Sequence, residues 1–206
     1  MARQNNFKFP AEGVTIQEIY ILHHITLNSL NESFKGKIKP ELLTPEFIEK
    51  HDNDKTDIND WLYREIDLLF SFLIIAFLES RFRIDFIIRT EIKPKEDITY
   101  PMIALRQAYD KQPVYQVPIN QIINIWIEHT GNKKLKRALN ELIKAIDDFR
   151  NWFAHGRFYK GKNTFDSYNF NLLYTFAYQI ESIIGAKLKH FEKNYVKQLN
   201  NFLNLQ

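Results

Sequence analysis

A chain of 206 residues with 45% apolar side chains suffices for one domain with a real core and an appended segment. The absence of Cys excludes a disulfide framework and a thiolate metal site, and a net charge of +3 is too small to argue nucleic-acid binding from the average. The polar first fifteen residues lack the apolar stretch of a signal peptide. Leu68 to Leu78, the most hydrophobic run, is only eleven residues long and lies between Asp67 and Glu79, well short of the ~20 that span a bilayer. A cytoplasmic protein with no membrane partner is expected.

With only six Gly, and with apolar residues recurring every three or four positions, the chain is predicted to be all-α. A first helix is expected from Thr15 to about Ser33, ending before Gly36, with Thr15 and Glu18 as a capping box and Val14 and Ile19 as a hydrophobic staple. Thr44 and Pro45 read as the N-cap and first residue of a short helix to about His51. The polar stretch His51 to Thr56 marks the expected boundary between an N-terminal helical extension, residues 1–56, and a main helical domain, residues 57–206.

From Asp57 or Asn59 a long helix is expected to reach about Thr90. Its predicted buried stripe holds Leu69, Phe72, Ile75, Ala76, Phe82 and Phe86. Glu79 falls on that stripe, where a carboxylate must find a partner or stay near a cleft. Pro94, Pro101, Pro113 and Pro118 frame helices at about 101–111 and 119–129. Asn132 starts the next helix, with a stripe of Leu135, Leu139, Leu142, Ile146, Phe149 and Phe153, and Gly156 and Gly161 end it. Asp166 is read as the cap of a last helix from about Ser167 to Phe202, with Gly185 as a candidate kink. His23 and His24 have no carboxylate or Cys at ligand spacing, so no metal site is expected there.

Residues 150 to 157 read Arg-Asn-Trp-Phe-Ala-His-Gly-Arg. Arg150 offers a permanently cationic fork that fits phosphate, and His155 can exchange a proton near neutral pH. The two are a minimal kit for cleaving a phosphodiester. Basic charge gathers here, with eight Lys or Arg against three acids between Gly131 and Lys160. The octapeptide resembles the signature of the HEPN superfamily: Arg, four to six residues, then His, often with a polar residue directly after the Arg. Arg150, Asn151 and His155 match its four-residue form, and the resemblance covers about residues 58–190. It implies a HEPN-like helical bundle over residues 57–206 and the ribonuclease activity found in many microbial toxins. In one branch of the superfamily a Tyr two places after the His is nucleotidylated; Arg157 stands there in this chain, with Tyr159 two further on.

On an ideal helix Arg150 and His155 stand about 140° apart in azimuth and about 7.5 Å apart along the axis. Either the helix breaks near Ala154, or two copies of the motif meet across a two-fold axis. The resemblance implies the second, a homodimer, and the aromatic residues near the motif single out Trp152 and Phe153 as contacts close to the axis. Arg150 itself projects about 40° from Ile146, beside the apolar stripe. The expected chemistry is transesterification of RNA without metal or cofactor. His155 acts as general base or acid, and Arg150 holds the scissile phosphate. Asn151 orients the His or a phosphate oxygen. Arg157 and Lys160 grip neighbouring phosphates, Tyr159 stacks on a base, and Glu79 supports the site.

Plainer readings have Arg150 paired with Glu79 or Asp147 and His155 capping the helix end. Two other functions stay open: a non-catalytic HEPN-like module that binds RNA or a protein, and a helical interaction module whose motif match is accidental. An antitoxin or nucleotidyltransferase is the protein partner that a toxin of this type implies.

Overall fold

The periodic apolar spacing resolves into six α-helices among the described residues, which in this computed structural model are 15–35, 55–150 and 169–204. In chain order they are α1 (Ile16–Lys35), α2 (Lys55–Glu91), α3 (Thr99–Ala108), α4 (Ile119–His129), α5 (Lys133–Ala145) and α6 (Phe170–Asn204). A 3₁₀ turn, Val114–Gln116, precedes α4, and a π turn, Ile146–Arg150, extends α5. No strand occurs among the described residues, so the fold class is all-α. None of the described helices is long and apolar enough to cross a membrane. Val14, the predicted short helix from Thr44 and the predicted cap Asp166 lie outside the described residues.

Local signals set the helix starts. At α1 the Thr15 N–H donates to Glu18 Oε2 at 2.6 Å and the Glu18 N–H to Thr15 Oγ1 at 3.2 Å, which closes the predicted capping box. The hydrogen bond from the Thr15 backbone, then that with its side chain, holds the Glu18 carboxyl below its ordinary value. The Asn132 side chain accepts from the N–H groups of Lys134 and Leu135, and that of Asn169 from Leu172.

The spine is α2, about 55 Å long. It touches α6 most extensively, then α1, α3 and α4, and both short turns. Ile74, Ile75, Leu78, Phe82 and Phe86 are buried along it, and Ile16 and Ile19 of α1 join the same core. One such side chain contributes about 1.5–3 kcal/mol on burial. The single stripe expected for this helix needs correction. Ile75, Phe82 and Phe86 are inside and Phe72 and Ala76 are half-buried, but Leu69 is 47% exposed. With helices on several sides, the buried positions wrap round the axis, and Leu69 is left on the open side. Gly185 lies inside the continuous α6, where the Glu181 side chain folds over it to reach Arg81 at 3.0 Å.

A polar cluster ties these helices together. Arg89 of α2 is fully buried and donates through Nε to both Asp85 oxygens, at 2.8 and 3.0 Å. Its Nη1 donates to Glu96 and to Thr99. Trp126 of α4 donates to Asp85 at 2.9 Å, and Lys187 of α6 to Glu96 at 2.9 Å. Burial pushes the Asp85 carboxyl up, against the pull of the Arg89 charge. Burial also raises Glu96, but the Lys187 hydrogen bond and the Arg89 charge outweigh it and leave Glu96 below its ordinary value.

Removing one partner of a buried pair strands the other, so Asp85→Ala should cost about 3–5 kcal/mol in urea denaturation. A loss under about 1 kcal/mol would show that the pair is dispensable. For Glu96 the lowered folded value means its stabilisation is complete above the ordinary carboxylate range and is lost as pH falls through the folded value. The stability gap between wild type and Glu96→Gln should therefore shrink on acidification. A gap that stayed constant would contradict this account.

Candidate functional site

The first motif residue sits where helix geometry changes. Leu135, Ala138, Leu139, Leu142 and Ala145 bury one face of α5. Ile146 and Phe149 stay buried in the π turn that follows. A π turn closes i→i+5 bonds, so the ideal projection that put Arg150 about 40° from Ile146 does not hold here. Such turns inside α-helices are frequent at functional sites.

Arg150 Nη2 donates to Glu79 Oε1 at 3.2 Å. Its side chain is 36% exposed, while that of Glu79 is 11% exposed. The same oxygen accepts from Arg83 Nη2 at 3.3 Å, so two guanidiniums converge on one carboxylate. Arg83 Nη1 in turn donates to the carbonyls of Val117 at 3.2 Å and Val114 at 3.5 Å, which anchors the cluster to the 3₁₀ turn. On the other side Asn120 Nδ2 donates to Asp147 Oδ1 at 2.8 Å, three residues before Arg150. Two guanidiniums thus meet at the Glu79 carboxylate; Arg83 links it to the 3₁₀ turn and the residue after it, and Asp147 separately ties the π turn to the start of α4.

The contact of Arg150 is the Glu79 pairing of its plainer reading. The remaining predicted site residues, Asn151, His155, Arg157, Tyr159 and Lys160, lie outside the described residues, as do Trp152 and Phe153. Sequence reasoning missed Arg83. Its signal was present, since Glu79 and Arg83 are spaced i, i+4 on one helix face.

Where the described chain resumes after the motif, Phe170 is buried. Its ring stacks on His23 at a centroid distance of 3.6 Å, and His23 Nε2 meets Asp67 Oδ1 at 2.6 Å. Among the described residues no three His, Asp or Glu side chains converge as a metal would require. A separate groove of about 320 Å³ runs between α1 and α2, lined by Ile19, Leu22, Phe70, Leu73 and Phe77 among others.

Comparison of the chain with known protein families, with characterised proteins and with solved structures gives no match.

Neutralising Glu79 leaves two guanidiniums facing each other with a weaker acceptor between them. Glu79→Gln should therefore lower stability by about 1–3 kcal/mol. An unchanged urea midpoint would show that Glu79 is not the organiser of this cluster.

Proposed function

We propose that this chain is a HEPN-type endoribonuclease, acting as a toxin or defence effector, that cuts RNA by metal-independent 2′-OH transesterification. The observation that carries the reading is the setting of Arg150. The motif arginine lies in a π turn, is a third exposed, and is held by a carboxylate that Arg83 also grips. A guanidinium oriented in advance loses less freedom when it engages phosphate.

In the proposed reaction one His155 removes the proton of a ribose 2′-OH, and the 2′-oxygen attacks phosphorus. The bond to the 5′-oxygen breaks, and a second His155, in the other protomer of a homodimer, returns a proton to that leaving oxygen. Arg150 stabilises the charge gathered on the phosphoryl oxygens, Asn151 orients the His or a phosphate oxygen, and Glu79 is a positioning residue for Arg150. Arg157 and Lys160 hold neighbouring phosphates, and Tyr159 stacks on a base. The products are a 2′,3′-cyclic phosphate and a 5′-OH. A cytoplasmic location and a neutralising antitoxin or nucleotidyltransferase belong to the same reading.

A second reading, a HEPN-like module that binds a partner protein without cutting RNA, is favoured by the apolar groove between α1 and α2, beside which Leu22 and Leu73 are 49% and 40% exposed.

Labelled RNA incubated with the protein in EDTA separates the two. Cleavage is expected, and His155→Ala and Arg150→Ala should abolish it with the helical circular dichroism intact. Arg150→Lys should lose most activity, because an ammonium cannot reproduce a two-pronged phosphate contact. Cleavage that survives in His155→Ala, or that needs added Mg²⁺, would overturn the mechanism. No cleavage of several RNA types would favour the binding module. Light scattering should give a homodimer, and a 24.7 kDa monomer at tens of micromolar would remove the two-protomer chemistry.

A further inference from the structure

Pro113-Val-Tyr-Gln-Val-Pro118 forms a turn braced from several directions. The two prolines hold φ at −58° and −59°. Within the turn the Gln116 N–H donates to the Pro113 carbonyl at 2.9 Å and the Val117 N–H to that of Val114 at 3.2 Å. Val117 is fully buried. Arg83 ties the carbonyls of Val114 and Val117 to the oxygen of Glu79 that also accepts from Arg150. Just past the turn, Asn120 is bonded to Asp147 of the π turn. The backbone is thus fastened to the arginine site at both ends.

Tyr115, at the middle of this turn, is 50% exposed. Its neighbour Val114 is half-buried. A Tyr ring on a fixed backbone has only two side-chain torsions to order, so it offers a large amphipathic face at low entropic cost. A nucleobase can use such a face whatever its identity, provided it is unpaired.

We infer that Tyr115 is a nucleobase-stacking platform for single-stranded RNA, receiving an unpaired base near the phosphate held at Arg150. The inference rests on the ribonuclease reading above and adds a substrate preference to it. Arg83 sets the platform through the two carbonyls it binds, so phosphate site and base site move as one body.

Binding of a labelled single-stranded RNA oligonucleotide, followed by fluorescence anisotropy in the cleavage-deficient His155→Ala background, provides the test. Tyr115→Ala should weaken binding roughly tenfold, and Tyr115→Trp should keep it. A blunt RNA duplex of the same sequence should bind both variants alike, because its bases are already stacked. Circular dichroism that Tyr115→Ala leaves unchanged would exclude misfolding as the cause. If Tyr115→Ala binds single strands as well as its parent does, while Arg150→Ala still loses affinity, the platform is overturned and the ribonuclease reading stands. An equal loss on the duplex would also overturn it. If the parent binds no RNA and the wild type cuts none, both ideas fall together.

Discussion

A guanidinium with no exposed surface is the constraint to which the rest of the bundle is fitted. An ion taken out of water costs several kcal/mol unless its partners are placed well. Arg89 finds its partners on α2 itself (Asp85), on the α2–α3 connection (Glu96) and on α3 (Thr99), and its guanidinium lies over the Trp126 ring of α4 at 5.2 Å. Lys187 brings in α6 through the same Glu96 oxygen. The contacts between elements also fix the register, since a slide of one turn, about 5.4 Å, would part Trp126 from Asp85 and Lys187 from Glu96. Glu79 and Arg83 lie on the same helix, roughly 15 and 9 Å from Arg89 along the axis. The cluster that fixes α2 against its neighbours therefore also fixes where those two side chains meet the 3₁₀ turn and Arg150.

Local chemistry was the part of the fold most legible in the sequence. The capping box of Thr15 and Glu18 and the N-cap Asn132 depend only on residues two or three apart, and both stand where the sequence puts them. The long helix, expected from residue 57 or 59 to about 90, spans Lys55–Glu91, and α4 runs from Ile119 to His129 as its flanking prolines suggest. Burial was less legible. Leu69 looks like a core residue on a helical wheel, but which azimuth is inside depends on how many helices surround α2. Asp85 and Arg89 read as an ordinary i, i+4 pair of the kind that usually faces solvent. Nothing within their own helix reveals that Trp126, Glu96 and Lys187 will close over them.

The candidate site divides in the same way. Arg150 was found by its motif, and Glu79 by the anomaly of a carboxylate on an apolar stripe. The π turn escaped notice because Leu142, Ile146 and Phe149 keep a spacing that a regular helix would satisfy equally well. Arg83 escaped because its role comes from the carbonyls of Val114 and Val117, which are distant in sequence and adjacent only after folding.

The pairing of Arg150 with Glu79 was also the plainer alternative to a catalytic role, and the energetics weigh the two. In the carboxylate pairs of Arg89, Arg83 and Arg81 the arginine side chain is 0%, 18% and 27% exposed, against 36% for Arg150. Pairs that open to solvent are worth about 0–1 kcal/mol, so of the stability lost with Glu79 the Arg150 contact accounts for less than the more buried Arg83 contact. It does restrict the guanidinium to one orientation. The carboxylate it meets is itself tied down, since Arg83 donates to the same Glu79 oxygen at 3.3 Å and to the carbonyls of Val114 and Val117, so the position of Arg150 is set by contacts that reach from α2 to the segment ahead of α4.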